Sequence, residues 1–571
     1  MTPREHSSPW SVGAGGARGV PIALVALVCI GAALRIYAYA ANPSLWIDEA
    51  ALAHNIIDRS FTALLAPLDR QQVAPLGFLW LEKCAVTLFG TSEYALRLVP
   101  LLASLASLPL FAILARRLLS PIAAVFAMAL FAMAIPLLYF AADTKQYSLD
   151  VAIVAALFAL ALRRHPGEDR GANGPGPIPR RGVVLGVLGA VAPWLSQPSV
   201  FALGGVGLYL LIPLARASPP ERRRSGRTLL PVFALWAVSG AASILRSLLG
   251  IAPADRADLD RFWEHAFLPL ANGLGESLHW LANTTSDIFG WLLPPMVAGV
   301  AIALFVLGIF ALVRRRDGTA TLLLAPLGFA LAASVLRIYP FSYRLVLFTT
   351  PSLLLATGAG AGWLLGIASS LRWPGARDRG GQDSSRSPGR HLATGASAVV
   401  CGVLALMVAR SALSLIELPF NREELRPLVH YLAGHRERDD AIYVYYGAAR
   451  AFEYYAERDG IPRSAYRVGR CESEDWRRYL DDVDALRGRP RVWLVLSHPF
   501  LKGGIREDSL FTSYFSRIGR RLDARSSTGA ALQLYDLSEG AATDDVRSAF
   551  TPPTTDDSSS AGVGCIGIVA N

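Results

Sequence analysis

The sequence predicts a mainly α fold: a polytopic bundle of about eleven membrane spans, N-terminus inside and C-terminus outside, followed by a small extracytoplasmic α/β domain. Three observations predict it. Apolar residues come in long unbroken blocks, arginines collect in short segments between those blocks, and the composition turns to mixed polar and apolar after about residue 420. Blocks that lack helical or strand alternation read as membrane spans. The 571 residues are 53% hydrophobic and 18% charged, with a net charge of +10. Because the positive charge lies between apolar blocks, anionic lipid and the positive-inside bias account for it, and no nucleic-acid partner is implied.

Runs with little or no charge cover about residues 19–40, 98–115, 118–142, 146–162, 182–215, 228–250, 287–313, 318–337, 345–371 and 392–415. Most approach the length that crosses about 30 Å of hydrocarbon. The run 182–215 is too long for one span, is broken by Pro193 and Pro198, and has arginines on both flanks, so it reads as a hairpin of two short helices. The segment 75–90 is apolar but short and carries Glu82 and Lys83, which suits an interfacial helix. With that assignment Arg116 and Arg117, Arg163 to Arg181, Arg216 to Arg227, Arg314 to Arg316 and Arg372 to Arg390 all fall on one side, the cytoplasmic one. The map places the protein in the cell inner (plasma) membrane, with outer loops at 41–97 and 251–286. Residues 1–41 also fit a signal peptide, but ten further spans favour an uncleaved first helix. Residues 1–415 thus form the bundle and 416–537 an extracytoplasmic domain, whose strands are expected at 441–448 and 491–499 and helices at 422–435 and 474–488. The tail 538–571, rich in Thr, Asp and Ser, reads as disordered. Cys471 and Cys565, the two cysteines outside the bundle, are candidates for a disulfide. No internal repeat is visible.

Three polar clusters interrupt the apolar pattern. Asp48 and Glu49 follow the first span, at the mouth of the bundle, where a carboxylate is a candidate base; acids opening a helix are the plain alternative. Asp143, Lys145, Tyr147 and Asp150 occupy the turn between the third and fourth spans, where Lys145 and Tyr147 suit a lipid phosphate and Asp143 an acceptor or a metal. Arg337, Tyr339, Tyr343 and Arg344 form the third cluster, and arginine on the outer side calls for a specific anion or an interfacial anchor. Glu264, His265, His279 and Gln197 are weaker candidates, and Arg35 is expected to snorkel outward from the first span. A divalent metal is a candidate cofactor, although no ligand set has convincing spacing.

The order of WIDEA (46–50), VAPLGFLWLEK (73–83), EYALRLVPLLASL (93–105), ADTKQYSLD (142–150) and YPFSYRLVLFTTP (339–351) resembles the C-type membrane glycosyltransferases. The branch it resembles includes bacterial relatives of protein O-mannosyltransferases and of the lipid A aminoarabinose transferase, over about residues 20–350. The resemblance implies a catalytic Asp in the first outer loop, matched by Asp48, and a second acidic residue, matched by Asp143. It implies a sugar donor on a polyprenyl phosphate and transfer, with inversion, to an extracytoplasmic lipid, glycan or protein. Relatives often have His-Pro-Pro or Glu-Pro-Pro where this chain has Gln71, Gln72, Val73, Ala74 and Pro75. They often have Arg where it has Lys145. The expected roles are Asp48 as general base, Asp143 as orienter, and Lys145, Tyr147 and Arg344 on the leaving phosphate, with Glu49 and Tyr343 also lining the substrate site. A transporter or flippase of a lipid-linked sugar is the competing class. Polar residues gathered at one face, without a repeat, favour transfer.

Overall fold

The computed structural model describes residues 19–162, 180–251, 253–370, 388–417, 423–471, 476–502, 504–538, 547 and 550–552. Helix α1 (Gly19–Ala41) has 23 residues; at 1.5 Å per residue it extends about 35 Å, enough to cross hydrocarbon. A polar region follows, built from α2 (Ile47–Asp58), α3 (Leu76–Phe89) and the single turn α4 (Glu93–Leu96). Helix α3, about 21 Å long, is too short to cross. It buries Phe78 and Leu79 while exposing Leu88 and Phe89, a geometry that suits an interfacial helix.

Helix α5 (Leu98–Leu118) leads to α6 (Pro121–Met133) and α7 (Ile135–Tyr139), a pair bent by 51° that is long and apolar enough for one span only when taken together. The bend has a chemical cause. Pro136 has no N–H for the carbonyl of Ala132, and Ala134 leaves the helical region at ψ 121°. Arg35 of α1 supplies the missing donors, from Nη1 to the Ala132 carbonyl at 2.9 Å and from Nη2 to that of Phe131 at 3.5 Å. Its Nε donates to Ser104 Oγ at 2.8 Å. Arg35 therefore does not snorkel outward: it is fully buried, because carbonyls freed inside a membrane bundle need a protein donor.

The bundle continues through α8 (Tyr147–Ala161), α9 (Arg180–Leu195), α10 (Ser199–Arg216) and α11 (Pro219–Leu249). Helices α9 and α10 are the predicted hairpin, turning at Ser196, Gln197 and Pro198. After α12 (Pro253–Phe262) come α13 (Leu274–Leu292) and α14 (Pro295–Arg315). The predicted run 287–313 is thus split: residues 287–292 end the amphipathic α13, and Pro294 and Pro295 start a new helix. Helix α15 (Thr319–Val335) is followed by a 3-10 turn, Tyr343–Thr349, which runs into α16 (Thr350–Ser370), and then by α17 (Pro388–Glu417). Helices α14 and α16 meet backbone to backbone. A Cβ added to Gly308 would lie 1.8 Å from the Ala356 carbonyl oxygen, and one added to Gly360 1.9 Å from that of Leu304. Small residues of this kind let membrane helices approach.

Among the described residues five helices are long and apolar enough to cross a membrane, six if the bent pair is one span. Five shorter apolar helices lie on the remaining predicted runs. The chain is a multi-pass membrane protein.

The C-terminal region contains α18 (Arg426–His435), α19 (Ala449–Arg458), α20 (Arg477–Asp484) and α21 (Glu507–Ile518). Its main sheet has five strands, in the order 466–468, 441–444, 492–497, 530–536 and 520–527. Strands β1 (Ala441–Val444), β2 (Tyr466–Val468) and β3 (Val492–Ser497) are parallel, with β7 (Ala530–Asp536) and β6 (Arg520–Ser527) added antiparallel. The short hairpin β4 (Leu501–Lys502) and β5 (Ile505–Arg506) stands apart. Strand β1 is shorter than the predicted 441–448, since Tyr446 to Ala448 turn into α19. Strand β6, a largely exposed polar edge strand, has no apolar alternation for the sequence to reveal. One hydrophobic core joins this sheet to the segment after α1, with Leu45, Ala50 and Ile56 of that segment clustering with Leu428, Phe452 and Trp493. Cys471 is disulfide-bonded; Cys565 lies outside the described residues, as does most of the tail. The described tail residues Arg547 and Phe550 pack on the domain, Arg547 pairing with Asp481 and Asp484.

Candidate active site

Residues 48 and 49 open α2. Successive helical residues point about 100° apart at 3.6 residues per turn, so two neighbouring carboxylates must face different surroundings. Glu49 turns inward. It is 2% exposed and takes Arg97 in a bidentate pair, Nε to Oε1 at 2.9 Å and Nη2 to Oε2 at 2.7 Å. The same carboxylate accepts from Thr144 N at 2.7 Å and Thr144 Oγ1 at 3.1 Å. Glu49 thus ties the segment after α1 to α5 and to the turn before α8, instead of standing in solvent beside Asp48. Burial opposes the Arg97 charge, but the Glu49 carboxylate outweighs it and holds Arg97 above its ordinary range.

Asp48 points a different way, is partly exposed, and accepts from Arg344 Nη1 at 2.8 Å. Burial pushes its carboxyl up; the charges of Arg344, Lys145 and Arg450 push it down harder, and the balance lies well below the ordinary carboxylate range. Arg344 stands at the start of the 3-10 turn, its guanidinium 5.8 Å from the Trp46 ring and 5.9 Å from the Trp263 ring. Tyr343 takes a left-handed φ of 35°, is 46% exposed and meets the Trp291 ring edge-on at 6.1 Å.

The Thr144 clamp fixes its neighbours. Asp143 is 1% exposed. Lys145 is also buried and donates to Gln72 Oε1 at 2.7 Å. Burial lowers the Lys145 ammonium below its ordinary value, against the stabilising charges of Asp48, Asp143 and Glu49. Gln72 stands in the stretch where this chain departs from the resembling family, and it lines an open cleft with Pro67, Val73, Arg246 and Ser247. Tyr147, buried, packs edge-on against Phe140 at 4.8 Å.

Three segments far apart in sequence therefore bring Asp48, Asp143, Lys145, Tyr147 and Arg344 into one polar cluster, with Tyr343 at its rim. Arg337, by contrast, is exposed, 4.0 Å from Glu264 and over the Phe267 ring. Among the described residues no group of three or more His, Cys, Asp or Glu side chains is arranged to hold a metal ion. One participant was invisible in the sequence. Arg450 of α19 is 7% exposed and acts electrostatically on Asp48, and nothing in the helical stretch ARAFEYYAER that contains it marks a site.

Residues 73–214 match the model of the dolichyl-phosphate-mannose-protein mannosyltransferase family, inside the stretch that resembles the C-type glycosyltransferases. Among solved structures the chain is similar to ArnT from Cupriavidus metallidurans bound to undecaprenyl phosphate, at 13% identity and a TM-score of 0.48, covering 91% of this chain and 98% of that one. It is also similar to the archaeal oligosaccharyltransferase AglB from Archaeoglobus fulgidus, in complex with an inhibitory peptide and a dolichol-phosphate. That similarity has 12% identity and a TM-score of 0.46, covering 91% of this chain and 74% of that one. No curated protein sequence matches the chain.

Proposed function

We propose that this protein is a membrane glycosyltransferase that moves a sugar from a polyprenyl-phosphate donor to an acceptor hydroxyl on the outer face of the plasma membrane. The observation that carries the reading is the Asp48–Arg344 pair at 2.8 Å, with Lys145 beside it: a base and two phosphate-binding cations from three separate loops. The family match over residues 73–214 supports the donor class, since that family is named for a dolichyl-phosphate sugar.

In the resting site Arg344 and Lys145 keep Asp48 too acidic to be an effective base. A donor phosphate competes for the same cations. As the Arg344 fork and the Lys145 ammonium turn to it, Asp48 loses its counterions and its basicity rises. Asp48 then takes the acceptor proton, the acceptor oxygen bonds to the anomeric carbon, and the bond from that carbon to the phosphate oxygen breaks with its electrons on the phosphate. Attack from the side opposite the phosphate inverts the anomeric centre. Asp143 orients, while Glu49 acts through its hold on Arg97 and Thr144.

The test is transfer from a synthetic polyprenyl-phosphate sugar by purified protein, with donor binding assayed separately. Asp48→Asn is expected to bind donor as wild type does and to transfer at least about a hundredfold more slowly. Near wild-type transfer by that variant at matched protein removes Asp48 from the mechanism.

A further inference from the structure

The geometry points to Arg450, on the C-terminal domain, as the third cation of the donor-phosphate site, so that the membrane bundle alone does not complete the site. The inference rests on the transferase reading above. Helix α19 lies on α2 through a series of contacts. His54 Nε2 is 3.2 Å from the Arg450 carbonyl oxygen, Arg70 pairs with Glu453 at 2.8 Å, and Leu45 N donates to Tyr455 Oη at 2.7 Å. This docking sets the first turn of α19, where the buried Arg450 stands, against the helix that carries Asp48.

Charge balance assigns the role. Glu49 and Arg97 neutralise one another, as do Arg70 and Glu453. That leaves Asp48 and Asp143 facing Lys145 and Arg344, two against two, a bundle with no net attraction for an anion. Arg450 adds one positive charge to the same group, where Asp48 is the foremost charge favouring its ionised form. Burial lowers the guanidinium only to about 10, so it remains charged at neutral pH. A sugar on a polyprenyl phosphate is a phosphodiester with one negative charge, which this excess matches. Transfer turns it into a phosphate monoester bearing close to two charges near neutral pH. The acceptor proton reaching Asp48 removes one carboxylate charge at the same step, so the cations then exceed the carboxylates by two. The site's charge follows that of the phosphate through the reaction only if Arg450 is counted.

The experiment measures binding of polyprenyl phosphate, and of polyprenol as the phosphate-free control, to full-length wild type, Arg450→Ala, Arg450→Gln and Arg450→Lys. Tyr455→Phe loosens the same seam without changing any charge. Arg450→Ala and Arg450→Gln are expected to bind polyprenyl phosphate about tenfold more weakly, the scale of one charged hydrogen bond. Arg450→Lys should stay within about threefold of wild type. Polyprenol binding should not change, and Tyr455→Phe should match wild type. Either neutral variant suffices if the other does not fold. Unchanged phosphate affinity in a folded neutral variant overturns the role of Arg450, and so does a Lys variant no better than Gln. Wild type that fails to bind polyprenyl phosphate sinks the transferase reading itself, a separate result.

Discussion

Asp48 and Glu49 are chain neighbours with opposite surroundings, and the difference decides what each substitution does. Glu49 is 2% exposed against a 1% exposed Arg97. Removing one partner of such a pair strands a buried charge, at a cost of about 3–5 kcal/mol. Glu49→Gln is therefore expected to lower the thermal midpoint of the detergent-purified protein by several degrees, whereas Asp48→Asn, at a partly exposed position, leaves it nearly unchanged. Equal midpoints would return Glu49 to a solvated role. For Arg344 the readout is pH. Its charge depresses Asp48 while burial raises it, so deleting the charge lifts the Asp48 carboxyl. The acid limb of kcat/KM, which reports the free enzyme, should move to higher pH in Arg344→Ala and stay near wild type in Arg344→Lys. An acid limb that ignores both changes leaves Arg344 as an interfacial anchor. The sequence made the DE pair conspicuous but carried no sign of which carboxylate turns inward. That depends on Arg97 and Thr144, 48 and 95 residues away.

At the scale of elements, apolar runs located the helices well, because hydrophobic length is written directly in composition. Breaks inside runs were less legible. Pro193 and Pro198 mark a turn because their run is too long for one span and arginines flank it, while Pro136 lies within 118–142 without such a cue. Its consequence is the use of Arg35. Without the guanidinium, the carbonyls of Ala132 and Phe131 sit unsatisfied in an apolar bundle, at roughly 1–3 kcal/mol per group. Arg35→Met is thus expected to lower thermal stability markedly. Adding Pro136→Ala should recover part of the loss, since an alanine at that position has an N–H to donate to the Ala132 carbonyl and the span can close its own bond. A double variant as unstable as Arg35→Met, or more so, would show that Arg35 serves α1 and Ser104 instead of the break.

At the scale of the whole molecule, the sequence predicts the C-terminal region as a separate domain, yet its tie to the bundle is intimate: Ser44 N and Oγ each donate to the Glu424 carboxylate at 2.9 Å across 380 residues. No local pattern announces contacts of that range. They also bear on the proposed sidedness. The sheet domain packs on the first outer loop, and α5 runs from buried Arg97 at that end to Arg116 and Arg117 about 30 Å away. Arg117 reaches the Ala159 carbonyl near the end of α8, and Arg315 of α14 reaches that of Leu118, so the arginine-bearing ends of α5 and α14 and the end of α8 share the far face. The positive-inside bias argues that this face is the cytoplasmic one. Single cysteines on a background lacking Cys29, Cys84 and Cys401 can test this in intact cells with a membrane-impermeant maleimide. Cysteines replacing Thr62 and Arg438 should label from outside, and those replacing Ser225 and Asp317 only after the membrane is opened. Outside labelling at Asp317 would invert the bundle and put the Asp48 cluster on the cytoplasmic face. A donor presented from the outer leaflet would then never reach Arg344, Lys145 or Arg450.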